Sequence, residues 1–139
     1  MTHSLIFVPV AMQIALTLWL YIVLASAKSK AIKRGEVKEE RRALHDDAWP
    51  DSVLQINNSI RNQFEVPVLF YILIGVIWSI GAVNTYIYIA AWVFVISRFI
   101  HAAVHTGSNY VPLRRNVFML GCFVLIGLLV FMVYKLATS

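Results

Sequence analysis

Read only for the alternation of apolar and polar positions, the chain falls into four long apolar runs, at about residues 4–26, 53–80, 84–105 and 113–136. One long polar connection and two short ones separate them. Each run is close to the roughly 20 residues that a helix needs to cross the hydrocarbon core of a bilayer. Alternating short strands are absent, and lipid admits only helices or closed barrels, because every backbone polar group must be satisfied internally. The pattern therefore predicts an all-α fold, an integral membrane four-helix bundle forming a single domain over residues 1–139. The first run lacks the basic leader and small-residue cleavage pattern of a signal peptide and is too long for a signal's apolar core. It is expected to stay as the first span.

Within the second run, leading into "VPVLFYILIGVIWSIGA", lies "NNSIRNQFEVP", residues 57–67, where polar side chains stand at membrane depth. At 100° per residue Asn58, Arg61, Asn62 and Glu65 fall within an arc of about 100°, with Asn57 at its edge, so they form one polar stripe. The third run carries a second stripe in "SRFIHAAVH", where Arg98, His101 and His105 are spaced three and four apart and share a face. Helix two enters from the side to which helix three returns. Both stripes therefore lie in the same half of the bundle, with Glu65 the deepest, about 18 Å from its helix start. Pro67 removes its own amide and frees the carbonyl of Gln63, which predicts a kink and room beside Glu65. Tyr71 falls close to the stripe's face, as a hydroxyl donor into that room or as an aromatic packed between helices.

Composition agrees with the pattern. The chain is 60% hydrophobic, against about 45–50% for soluble domains, and its mean hydropathy is +0.73. The net charge of +5 is not spread as a nucleic-acid-binding surface would be. Seven of the twelve Lys and Arg lie in residues 27–52, with Arg114 and Arg115 beside the short connection at 106–113, and the opposite side of the bundle holds almost none. By the positive-inside rule both charged connections are cytoplasmic and both termini lie across the membrane. Six of the seven acids share the first connection, which makes it a mixed-charge solvated loop. The single cysteine, Cys122, excludes an intrachain disulfide, and its apolar surroundings in "FMLGCFVLIGLL" predict an inert packing residue.

Facing lipid at mid-bilayer, Arg61, Glu65 and Arg98 would each cost about 2.5–3.5 kcal/mol on the most lenient scale. They are expected to face one another, inside the bundle or at an oligomer interface. Polar residues that merely bridge helices would account for the asparagines. They would not require four arginines, Arg61, Arg98, Arg114 and Arg115, around the one carboxylate of Glu65. An unbalanced cationic cluster anticipates an anionic ligand.

Together "RNQFEVPVLF" and "SRFIHAAVHTGSNYVPLRR" resemble the MAPEG family, the membrane-associated proteins in eicosanoid and glutathione metabolism, and the likeness spans all four helices. It is carried by Arg61, Asn62 and Glu65 before a proline, by Arg98 and His101 near the end of helix three, and by Pro112 and Arg114 opening helix four. The resemblance implies a homotrimer that binds glutathione as co-substrate in clefts between neighbours. Arg61, Asn62 and Glu65 would hold its charged ends and backbone. Arg98 and His101 would line the cleft, with His105 and Tyr71 added as candidates from their places near the two stripes, and Arg114 would stabilise the thiolate as the catalytic residue. A thiol of pKa about 8.5 becomes nucleophilic near neutrality beside such a cation. The substrate class implied is a small hydrophobic electrophile arriving through the lipid bilayer of a bacterial inner membrane or endoplasmic reticulum. The likeness departs at Asn58, where well-studied members carry arginine, at His105, where tyrosine is common, and at Arg115, where serine follows the thiolate-stabilising arginine. These departures point away from an eicosanoid-specific synthase and toward a broad-specificity or bacterial-type member.

Two other classes compete. His101 and His105 with Glu65 at similar depth resemble a haem or metal site, but Arg61 and Arg98 would repel a cation, so no metal is expected. A non-catalytic scaffold, activator or proton pathway would also use a buried acid flanked by Arg and His. Against a pathway, "YILIGVIWSIGA" and "TYIYIAAWVFVI" offer no ionisable side chain to continue it.

Overall fold

The computed structural model describes residues 3–138, and every regular element among them is helical. A 3₁₀ turn at His3–Ile6 leads into α1 (Phe7–Lys33), and α2 (Asp51–Gln63) and α3 (Val66–Ser79) follow the long connection. The chain ends with α4 (Thr85–Thr106) and α5 (Val111–Ala137). Four helical stretches are long and apolar enough to cross a membrane: Ser4–Lys33, Asp51–Ser79, Thr85–Thr106 and Val111–Ala137. The all-α membrane fold expected from the apolar runs is the fold observed.

Two boundaries differ from expectation, each for a local reason. α1 continues seven residues past its apolar run through "AKSKAIK", made mostly of good helix formers. It stops where Gly35 takes a φ of 68°, a left-handed conformation that needs glycine. Its 27 residues make a rod of about 40 Å, longer than the roughly 30 Å hydrocarbon core. The second span is not one kinked helix but two. Pro67 cannot donate to the carbonyl of Gln63, so α2 ends at Gln63 and Pro67 becomes part of the first turn of α3, where a missing amide does no harm. Glu65 therefore caps α3 from outside regular helix (φ −102°, ψ −102°) rather than continuing the stripe of α2.

At the start of α4 the Asn84 side chain accepts a hydrogen bond from the Ile87 amide at 3.0 Å. Gly107 ends that helix where a Cβ would come within 2.9 Å of the Ala103 carbonyl oxygen. Pro112 then opens α5.

The core has two apolar clusters with a polar layer between them. Phe70, Leu73, Ile74, Ile77, Ala91, Phe94, Val95, Leu125 and Leu128 join α3, α4 and α5, with the Phe70 and Phe94 rings stacked at 4.5 Å. Leu16, Leu20, Leu24, Val53, Ile56, Ile60 and Ala102 join α1, α2 and α4 near the long connection. Between the clusters, in chain order on their helices, sit the buried Gln13, Gln63, Ser97, Arg98 and His101. Gln13 Nε2 donates to Gln63 Oε1 at 2.8 Å, fastening α1 to α2. Gly121 lets α5 approach α4 closely: a Cβ there would sit 3.3 Å from Ser97 Oγ and 3.5 Å from the Phe94 ring.

The connection at residues 34–50 is more organised than a solvated loop. Lys38 N–H donates to the Ala48 carbonyl at 3.0 Å, and Ala48 is buried. Arg41 pairs with Asp47, Arg42 with Glu39, and Asp46 reaches across to Arg61 of α2. The hydrogen bond from Arg41, more than any other influence, holds the Asp47 carboxyl below the usual aspartate value.

Candidate functional site

The inward face of α2 is set by its apolar residues. Val53, Ile56 and Ile60, with Ser59 and Gln63, are buried against the bundle, and this turns Asn58 and Arg61 outward. Of the two arrangements expected for these charges, inside the bundle or at an oligomer interface, the first does not hold within the single chain. Arg61, Glu65 and Arg98 do not face one another within the chain. Arg61 is exposed and paired to Asp46, Glu65 is exposed, and Arg98 is buried. Periodicity identified the stripe correctly as one face of α2 up to Asn62, but the stronger demand of the apolar face decided which way it points.

α4 positions its stripe differently. Arg98, His101 and His105 are all buried, at 1%, 3% and 6% exposure, on the face turned toward α5 and α2. The Arg98 guanidinium lies 5.8 Å over the Phe118 ring, and among the described residues none of its three nitrogens has a hydrogen-bond partner. The His101 and His105 rings stand 5.6 Å apart at 83°, and His101 is 5.8 Å from Phe118. Nδ1 of each histidine is buried without a partner. Buried polar atoms are paired in the great majority of proteins, so this cluster of orphans marks a place where a further polar group belongs.

Beside them opens a cavity of about 330 Å³ between α2, α4 and the start of α5, lined by Asn62, His101, His105, Arg114, Arg115 and Phe118, with Val111 at its edge. That volume is at the lower end of the about 300–1,000 Å³ typical of small-molecule sites. Its lining includes two arginines and no carboxylate. Asn62 is held by its own helix, Nδ2 donating to the Asn58 carbonyl at 3.1 Å. Of the residues singled out in the sequence, the cavity gathers Asn62, His101, His105 and Arg114, with Arg98 buried behind His101. It leaves Arg61 and Glu65 on the outer surface. Tyr71 is elsewhere, in a groove with Ile14, Thr17, Tyr21 and Phe64. Cys122 lines a third, wholly apolar groove between α3 and α5. Among the described residues no three His, Cys, Asp or Glu converge as a metal site would require.

Besides Phe118 and Val111 in the lining, one residue that positions the site is not singled out in the sequence. Asn109, in the turn between α4 and α5, takes a φ of 53°, and its amide donates back to the Val104 carbonyl at 2.7 Å. Asparagine enters this left-handed region more readily than most residues. From there its side-chain carbonyl oxygen accepts a hydrogen bond from Arg114 Nη1. The turn thus orients the guanidinium as well as joining two helices. The signal available was the Gly-Ser-Asn sequence five residues before the arginine, a turn composition that says nothing of where the amide points.

Comparison with known proteins gives one result. The sequence model of one family, the MAPEG family, matches residues 6–134. None of the curated proteins and none of the solved structures compared with the chain matches it.

Proposed function

The chain belongs to the MAPEG family, and from that membership we propose that this integral membrane protein is a glutathione-dependent transferase or peroxidase acting on apolar electrophiles. The observation that carries the reading is the cavity in which Arg114, Arg115, His101, His105 and Asn62 converge without a carboxylate. Such a lining suits a small ligand with more than one negative charge. In this reading Arg114 stabilises the glutathione thiolate at the first turn of α5, where unpaired helix amides add to the positive field. The thiolate attacks the electrophilic carbon, a carbon–sulfur bond forms, the leaving group departs with its electron pair, and the thiol proton goes to solvent. With a hydroperoxide, the thiolate takes the terminal oxygen and releases an alcohol, and a second glutathione completes the disulfide with loss of water.

Asn62, His101 and His105 would hold the tripeptide backbone and a carboxylate, with the orphaned Nδ1 atoms as partners. Arg61 and Glu65 fit an assembly of three copies, in which they face a neighbour across the cleft and Glu65 takes the ligand's amino group. Their exposure on a single chain supports that arrangement, since ionisable groups at membrane depth require a polar partner. Tyr71 has no part in this reading. The charge asymmetry supports a cytoplasmic placing of the 34–50 connection and of the cavity mouth.

The test is conjugation of a chloronitrobenzene, and reduction of a lipid hydroperoxide, by the purified chain with glutathione. Arg114→Ala should lower turnover about hundredfold or more while glutathione still binds. An unchanged rate removes Arg114 from the chemistry, and no calorimetric signal with glutathione removes the reading. Binding without turnover of any electrophile would instead identify a non-catalytic scaffold or activator.

A further inference from the structure

The two turns of α1 that outrun its apolar stretch form one wall of a groove of about 540 Å³, larger than the candidate site and sharing no residue with it. The lining repeats along one face of α1: Trp19, Ile22 and Val23 at the apolar end, then Ser26, Lys30 and Arg34. Glu36 and Ser52 close the polar end from the connection and the first turn of α2. From Trp19 to Arg34 the helix rises about 22 Å. The groove therefore begins at hydrocarbon depth and ends at the level where lipid headgroups lie.

The charges at that end are unspent. Lys30 and Arg34 are four residues apart on one face and repel each other. Among the described residues neither has an ion-pair or hydrogen-bond partner for its side chain, and neither does Glu36. Of the other cations in this segment of the described residues, Arg41 and Arg42 each meet an acid, as Arg61 does beside it, and Lys28 lies 4.8 Å over the Trp49 ring, while Lys33 and Lys38 are unpaired but lie outside the groove. A favourable interaction with the helix C-terminus would explain a lysine in the last turn. It would not explain a second cation, a free acid and an apolar trough aligned below them. Two cations and one acid at the head of an apolar trough is the charge layout of a phospholipid with an amine in its headgroup.

We propose that this groove holds one membrane phospholipid, its phosphate between Lys30 and Arg34, its headgroup amine at Glu36 and an acyl chain along Trp19, Ile22 and Val23. The site is independent of the thiol chemistry argued above, and neither proposal depends on the other.

The test uses the full chain in detergent, with phosphatidylethanolamine, phosphatidylglycerol or phosphatidylcholine added and adducts read by native mass spectrometry. The wild type should retain phosphatidylethanolamine best. Lys30→Gln with Arg34→Gln should lower retention about tenfold, whereas Lys33→Gln with Lys38→Gln, which removes the same charge outside the groove, should not. Glu36→Gln should abolish the preference for the amine-bearing lipid. Lipid brominated in its acyl chain should quench Trp fluorescence less in Trp19→Phe than in the wild type. Equal loss in the two double variants would mean unspecific attraction of lipid to a basic surface and would overturn the proposal. So would competition by glycerophosphoethanolamine as strong as by the intact lipid. Should the first double variant unfold, Lys30→Gln and Arg34→Gln singly give the same reading.

Discussion

Arg114 owes its direction to Asn109, and the dependence can be separated from the chemistry. Asn109→Gly keeps the left-handed turn but deletes the acceptor, and one hydrogen bond to a charged group is worth about 1.5–3 kcal/mol. Turnover should then fall roughly tenfold or more with glutathione binding little changed, while the melting temperature stays near that of the wild type. Loss of binding and stability together would show that the turn serves folding alone. A second residue-scale expectation concerns Asp47. Its folded-state pKa lies below the unfolded value of about 4. The stabilisation is present above that value and disappears as pH falls through the folded pKa. Because the pair with Arg41 is exposed and screened, the effect is slight. Asp47→Asn should melt marginally lower than the wild type at pH 7 and identically to it at pH 2. Neither Asn109 nor the Asp47 partner was legible beforehand, since both depend on how a loop folds back rather than on any period in the sequence.

Individual helices were more readable, because hydrophobic length alone determines what crosses a bilayer. "VPVLFYILIGVIWS" and "TYIYIAAWVFVIS" had to be helical in lipid, and both are. The extension of α1 to Lys33 lies beyond what apolarity alone marks, although nothing in "AKSKAIK" terminates a helix. Pro67 was legible as a disturbance but not as a full interruption. Gln13 went unnoticed as a lone amide in an apolar run, yet it is fully buried and bonded to Gln63. Membrane hydrogen bonds between helices average about 0.6 kcal/mol and reach about 1.7. Gln63→Leu, which strands the Gln13 amide, should lie toward the upper figure. Gln13→Leu with Gln63→Leu should recover part of that loss, since removing both partners leaves no orphan. Unfolding titrations of the single and double variants measure this coupling, and additive losses would mean that the two amides do not support each other.

For the molecule as a whole, the residues singled out in the sequence divide by the direction in which the single chain turns them. His101, His105, Arg114 and Asn62 converge on one cavity, as a cationic site requires, whereas Arg61 and Glu65 look outward. A period assigns residues to a common face, but which face becomes the inside depends on all the competing faces at once. In the proposed assembly, Arg61→Glu and Glu65→Arg should each weaken association of copies; chemical cross-linking in native membranes counts the copies. If neither variant alters the cross-linking pattern, these residues do not meet a neighbour.

The interruption at Phe64 and Glu65 also bears on how the protein meets its lipid. α2 and α3 have 13 and 14 residues, so each is about 20 Å long and neither reaches across a bilayer alone. Each rod can tilt with its own leaflet, and hydrophobic mismatch would be absorbed at this hinge rather than by tilting a stiff span. Asn62 lies on one side of the hinge and is part of the cavity wall, while α5 continues unbroken from Arg114 to the far surface. Acyl-chain length should therefore change the spacing between Asn62 and Arg114, giving turnover an optimum at one bilayer thickness when the protein is reconstituted into vesicles of increasing chain length.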